Sequence, residues 1–136
     1  DQKPKGIKTD ALVEFVDIYP SLCDLCGLPI PKRLEGISFK PLLENPERPW
    51  KKAAFSQYPR IIPRYGECMG YSMRTGRYRF NEWKIPCTDF CEYELYDYLV
   101  DPDENFNIAN RPENAELVKK LSAQLHQGWK KALPDI

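Results

Sequence analysis

The chain has 136 residues, and its 20 Lys+Arg offset 20 Asp+Glu for a formal net charge of +0. That balance argues against nucleic-acid and anionic-membrane partners, which select a basic surface that displaces counterions. Hydrophobic residues make up 42%, and a domain of this length buries about two-thirds of its unfolded surface, so one globular domain, or part of one, can form a core. No apolar run reaches the roughly 18 to 20 residues that span a bilayer. The start, Asp1-Gln2-Lys3-Pro4-Lys5-Gly6, lacks the apolar stretch of a signal peptide and an initiator Met, so the chain is expected to be a piece of a longer protein. A single histidine, His126, argues against a His-rich zinc site and a two-histidine catalytic arrangement.

Thirteen prolines keep the elements before Pro112 short. Ala11 to Val16 predicts a short strand, and Asp17 offers an N-cap side chain to a short buried helix over Ile18 to Cys26. Pro20 suits its first turn, Ile18, Leu22 and Leu25 share a face, and Gly27 supplies the C-terminal cap. Gly27 to Trp50 carries five prolines and reads as a loop anchored at Leu42-Leu43. A strand over Ala53 to Tyr58 is stopped by Pro59, with Arg60 to Cys68 as a surface loop.

Gly70–Arg74 and Arg77–Trp83 flank Thr75-Gly76 as a tight hairpin. Alternation puts Tyr78, Phe80 and Glu82 on one face of the second arm and Arg77, Arg79, Asn81 and Trp83 on the other, wetter one. A fourth strand is predicted at Tyr93 to Tyr98. From Pro112 on, Leu117, Val118, Leu121, Leu125 and Trp129 recur at helical spacing, and one face of the sheet is the apolar partner such a helix needs. The fold class is α+β: a small four-stranded antiparallel sheet packed against a C-terminal amphipathic helix, with a short N-terminal helix.

Cys23-x-x-Cys26 has the spacing of a zinc half-site or redox pair, but between leucines on a helix it reads better as buried structural thiols. Cys87 and Cys91 could close a local disulfide if the parent is exported, which is the less favoured alternative. Nucleophile-plus-base motifs are absent, and Asp101-Pro102-Asp103-Glu104 reads as a solvated turn rather than an acid/base dyad. The polar cluster that invites a function is Gln57-Tyr58-Pro59-Arg60, with Arg64 and Tyr65 after it. A ring and a guanidinium at a sheet edge suit a carboxylate or sulfate. Equally, Arg60 could pair with a surface acid while Tyr58 covers the core.

Val16-Asp17-Ile18-Tyr19-Pro20-Ser21-Leu22 through Cys26-Gly27, followed by Glu35-Gly36-Ile37-Ser38 and Pro41-Leu42-Leu43, resembles a segment of the sulfatase family written V-D-x-x-P-T-L-x-x-L-x-G, then D-G-x-S-x-x-P-L-L. Glu94-Leu95-Tyr96-Asp97, Asp101-Pro102-Asp103-Glu104 and Asn107-Ile108-Ala109 resemble that family's E-L-Y-D-L-x-x-D-P-x-E-x-x-N-L-A stretch. Ser21 departs from the usual threonine and Glu35 from the usual Asp, and the Arg60-to-Met69 loop is shorter than in the animal enzymes. Within the family, Ala54 to Arg60, Met69 to Thr75, Tyr78-Arg79 and Trp83 look most like the iduronate-2-sulfatase branch.

The resemblance implies the C-terminal subdomain of the alkaline-phosphatase-like sulfatase fold. Residues 1–52 would be the end of the catalytic domain with its connecting loop, and 53–136 the antiparallel sheet and terminal helix. It implies a sulfuric ester hydrolase acting on sulfated uronic acid units of glycosaminoglycans, exported to a periplasm, lysosome or the exterior. The chain's partners would be the parent's catalytic domain and a sulfated polysaccharide, with Arg60, Tyr58 and Arg64 on the substrate side. The family's formylglycine arises from Cys or Ser in C/S-x-P-x-R, and its calcium from Asp/Asn ligands. No cysteine here begins that motif, so formylglycine and calcium are expected upstream of Asp1, and the chain alone is expected to be inactive and to self-associate. The alternatives are another sulfatase, a related phosphonate or phosphate-ester hydrolase, or a stand-alone carbohydrate-binding module.

Overall fold

The computed structural model describes residues 6–135, so the Asp1–Lys5 opening lies outside it. Two units arise, one running up to Lys51 and taking in the last residues from Pro134, the other Lys52–Leu133.

A buried carboxylate organises the first unit. Asp17 is fully buried, and its two oxygens each accept a hydrogen bond from Lys51 Nζ at 2.8 Å. Asp17 also takes the Glu14 N–H and the Ile37 N–H, both at 2.9 Å. Glu14 gives the same ammonium a second carboxylate at 2.5 Å. A charge out of water persists only when its lone pairs are satisfied in this way. The expected N-cap role of Asp17 therefore fails: its carboxylate is spent on Lys51 and two loop amides and does not cap the helix that follows.

The expected strand at Ala11 to Val16 is likewise absent. With no strand among the described residues of this unit to complete a ladder, the chain turns through a 3-10 segment at Phe15–Asp17.

Helix α1 (Ile18–Leu25) buries Pro20, Ser21 and Cys23. The Ser21 hydroxyl donates to the Asp17 carbonyl at 2.6 Å and accepts the Phe39 N–H at 2.9 Å, so it ties the helix start to the segment before α2. The face of Ile18, Leu22 and Leu25, read from the sequence as buried, is about half exposed. Spacing had identified an apolar face without saying what covers it. Gly27 ends the helix at φ +69, as expected. Helix α2 (Lys40–Glu44) interrupts the expected loop; Leu42 anchors it, while Leu43 faces outward.

The second unit is a sheet of four antiparallel strands in sequence order: β1 (Ala53–Ile62), β2 (Gly66–Thr75), β3 (Tyr78–Lys84) and β4 (Cys91–Asp97). Phe55, Met73, Phe80 and Leu95 form one cross-strand row. Helix α3 (Ala115–Gln127) lays Leu121 and Leu125 into the same cluster, with Leu117 and Val118 at its edge. Fully burying such a side chain stabilises by about 1.5–3 kcal/mol, so this row and the α3 stripe dominate the unit's stability.

Several boundaries differ from the sequence reading, β4 among them, which runs Cys91–Asp97 rather than Tyr93 to Tyr98. β1 runs on through Pro59 because it is an edge strand, where a missing N–H breaks no ladder. Arg60 to Cys68 is consequently the end of a hairpin rather than a loop, with Arg60 opposite Cys68 and a turn holding Arg64 at φ +75. The next connection is Gly76-Arg77, one residue later than expected, because the Thr75 hydroxyl accepts the Tyr78 N–H at 2.9 Å and closes the turn.

α3 begins after a 3-10 turn at Pro112–Asn114 and stops at Gly128, φ +78, so Trp129 belongs to a separate 3-10 turn. All five cysteines are free thiols; Cys23 and Cys68 are buried, whereas Cys26 is exposed, and Cys87 and Cys91 form no bridge. The Asp101 turn is as expected: its carboxylate takes the Asn105 and Phe106 amides, and these bonds hold its pKa below the usual carboxylate range.

Candidate functional site

Strand alternation directs Tyr58 and Arg60, two residues apart on β1, to the sheet face opposite α3. Tyr58 is 65% exposed, so it does not cover the core. Arg60 has no carboxylate partner among the described residues; its guanidinium carbon lies 4.8 Å from the centroid of the Trp83 ring. Among the described residues Tyr58 therefore does not cover the core, and Arg60 is not ion-paired. Arg64 sits apart in the hairpin turn.

Trp83 was not singled out as a site residue in the sequence, and its placement depends on Gly70. The two are direct cross-strand partners, and a Cβ built on Gly70 would lie 2.6 Å from the indole ring. The missing side chain lets the ring cross β2 toward β1. A glycine inside a strand was the available signal, since it marks close approach of another group.

Beside this stack a cleft of about 240 Å³ is lined by Ser56, Tyr58, Ser72, Asn81, Trp83 and Arg79, among others. Arg79 is internally compensated: it pairs with Glu104 at 2.5 Å and donates to the Tyr98 hydroxyl at 3.1 Å. Burial works against its charge, but the Tyr98 and Glu104 contacts outweigh that and raise its pKa. Arg60, by contrast, has no carboxylate partner among the described residues.

This arrangement can bind a planar anion against an aromatic wall. It has no nucleophile beside a base, and no three His, Cys, Asp or Glu side chains converge as metal ligands among the described residues. Among the described residues no side-chain cluster offers the ligand set of a calcium ion.

Solved structures with this fold identify its class. A 2-O glycosaminoglycan sulfatase superposes with TM-score 0.65 at 27% identity, over 82% of this chain and 23% of that one. A second structure, in complex with its substrate D-glucosamine-2-N,6-O-disulfate, gives TM-score 0.66 at 31% identity, over 82% of this chain and 22% of that one. The sheet and its helices are thus those of sulfatase C-terminal regions. Residues 1–131 match the family described as N-sulphoglucosamine sulphohydrolase, C-terminal, and the chain belongs to that family.

Among curated relatives, the N-acetylglucosamine-6-O-sulfatase of Bacteroides thetaiotaomicron is 31% identical over 93% of this chain and 24% of its own length. Arylsulfatase K of Rattus norvegicus is 32% identical over 88% and 21%. Iduronate 2-sulfatase of Mus musculus is 29% identical over 89% and 29%. The chain therefore spans about a quarter of the length of these relatives. No helix among the described residues is long and apolar enough to cross a membrane.

Proposed function

We propose that this chain is the C-terminal part of a sulfuric ester hydrolase that acts on sulfated uronic acid units of glycosaminoglycans, with Tyr58 and Arg60 at the rim of the substrate pocket and Arg64 on the adjoining turn. The observation that carries this reading is the Arg60 guanidinium, which stacks on Trp83 and has no carboxylate partner among the described residues. A guanidinium held this way meets a sulfate or carboxylate through two parallel N–H···O bonds, while Tyr58 offers a flat wall to the sugar ring. The iduronate 2-sulfatase relative and the 2-O glycosaminoglycan sulfatase structure support the 2-O-sulfated uronate.

The nucleophile and metal belong to the remaining three-quarters of such an enzyme, where formylglycine and calcium would supply sulfate-ester cleavage. The catalytic domain is then the partner of the first unit, whose Phe15, Ile18, Tyr19, Leu22 and Leu25 present an exposed apolar surface. Residues up to 52 would complete the catalytic domain, and residues from 53 would form the pocket wall. By the same resemblance the parent protein would be exported, to a periplasm, a lysosome or the exterior.

A second reading, hydrolysis of a 6-O-sulfate on glucosamine, is favoured by the Bacteroides relative. The parent enzyme, assayed on heparin disaccharides carrying only a 2-O-sulfated uronate or only a 6-O-sulfated glucosamine, separates the two. Turnover of the first supports the proposal, and turnover of the second alone overturns it.

A further inference from the structure

Across the face opposite α3, three residues from three strands form a relay: Trp83 on β3, Gly70 on β2 and Arg60 on β1. The pairing register puts Trp83 opposite Gly70, Gly70 opposite Tyr58, and Arg60 two residues beyond Tyr58 on the same side. The ring passes over Gly70 and ends beneath the guanidinium. An unsupported arginine side chain keeps rotamer entropy that is lost when it grips a ligand. A ring fixed by strand pairing removes part of that freedom beforehand, because the guanidinium prefers the indole face. A contact that sets the guanidinium carbon 4.8 Å from the ring centroid engages the group through its π face or edge and takes up none of its N–H donors in a hydrogen bond, so they remain for bidentate anion contact.

We propose that Trp83 is a positioning residue that holds Arg60 in its anion-binding pose, and that Gly70 is what admits the ring. The assignment rests on the reading of Arg60 as a substrate contact. Removing the platform leaves Arg60 charged and present but free to swing away, so substrate binding weakens while the catalytic step, made elsewhere, is untouched. Gly70→Ala tests the same relay without altering either partner, since its Cβ must lift the ring.

The test has two arms. In the 136-residue chain, NMR reads the Arg60 δ-methylene protons, which the indole ring is expected to shift upfield. The shift should disappear in Trp83→Leu, shrink in Gly70→Ala and be largely retained in Trp83→Phe. In the parent enzyme acting on a 2-O-sulfated uronate disaccharide, KM should rise about fivefold in Trp83→Leu and Gly70→Ala, with kcat unchanged and Trp83→Phe restoring most of the loss. Unchanged Arg60 resonances in Trp83→Leu overturn the relay. A kcat loss that follows a lowered melting temperature, without rescue by phenylalanine, reduces Trp83 to a structural role and overturns the proposal as well. Arg60→Ala, run alongside, reports separately on the substrate reading: an unaltered KM there rejects that reading even where the stack is intact.

Discussion

The carboxylate of Glu82 on β3 lies 2.8 Å from Nε2 of His126 on α3, and it is the polar link between the sheet and the helix that covers it. Glu82 is only 1% exposed. Ser122, one helical turn before His126, donates to Glu82 Oε2 at 3.2 Å, and Lys84 Nζ reaches Oε1, the oxygen that faces His126, at 2.6 Å. Burial by itself would raise the Glu82 pKa, but the Lys84 and His126 contacts outweigh it and hold the carboxyl below the usual range.

This link predicts an acid-sensitive helix. A carboxyl with a depressed folded-state pKa contributes stability that is present above its unfolded value, near 4.3, and lost as pH falls through the lower folded value. Urea unfolding of the chain between pH 3 and pH 7 should show stability falling below about pH 4.5, with the Glu82 share of the slope missing in Glu82→Gln. Glu82→Ala should destabilise at pH 7 by about 2 kcal/mol, below the roughly 3–5 kcal/mol of a fully buried pair because the half-exposed Lys84 and His126 can turn to water. An identical pH slope in wild type and Glu82→Gln would rule the link out as its source.

Gly36 makes a different kind of prediction. A Cβ there would lie 2.0 Å from the Val16 carbonyl oxygen and 2.8 Å from the Asp17 nitrogen, and backbone atoms cannot step aside as a side-chain tip can. Gly36→Ala should therefore cost about 3 kcal/mol or more, because it pushes Ile37 away from the buried Asp17 carboxylate. A melting temperature within a degree of wild type would show that the turn has room to relax.

The same carboxylate predicts a double-mutant result. Asp17→Ala leaves Lys51 buried with Glu14 as its remaining acid, and should destabilise by about 3 kcal/mol. Adding Lys51→Met removes the orphaned charge and should recover part of that loss. Strictly additive losses would mean that the two residues do not act as a pair.

What the sequence revealed and what it hid follow from how far apart the determining contacts lie. The α3 stripe of Leu117, Leu121 and Leu125 is local, so spacing alone located it. Glu82 was placed correctly on the α3 side by alternation, although nothing local announced that a lone histidine 44 residues later would meet it. Pro59 reads as a strand stop unless β1 is known to be an edge strand, which is a property of the whole sheet. Arg60 was visible as an anion-seeking group, whereas the role of Trp83 requires the register of three strands. The outward face of α1 was misread because periodicity measures amphipathicity and not what lies against it.

That face predicts association of the isolated chain. Phe15 is 92% exposed, and Ile18, Tyr19, Leu22 and Leu25 are about half exposed beside it. Apolar clusters of this kind mark interaction surfaces. Sedimentation of the 136-residue chain should show reversible self-association that Leu22→Lys suppresses without lowering the melting temperature. A strict monomer at millimolar concentration would contradict this.

The most direct measurement compares Arg60→Ala with wild type in the parent enzyme on two substrates. For a sulfated uronate, kcat/KM should fall by about 2 to 4 kcal/mol, while a small aryl sulfate that does not reach the rim is affected much less, with thermal stability unchanged. Equal losses on both substrates together with a lowered melting temperature would contradict the account and make Arg60 a brace for the sheet.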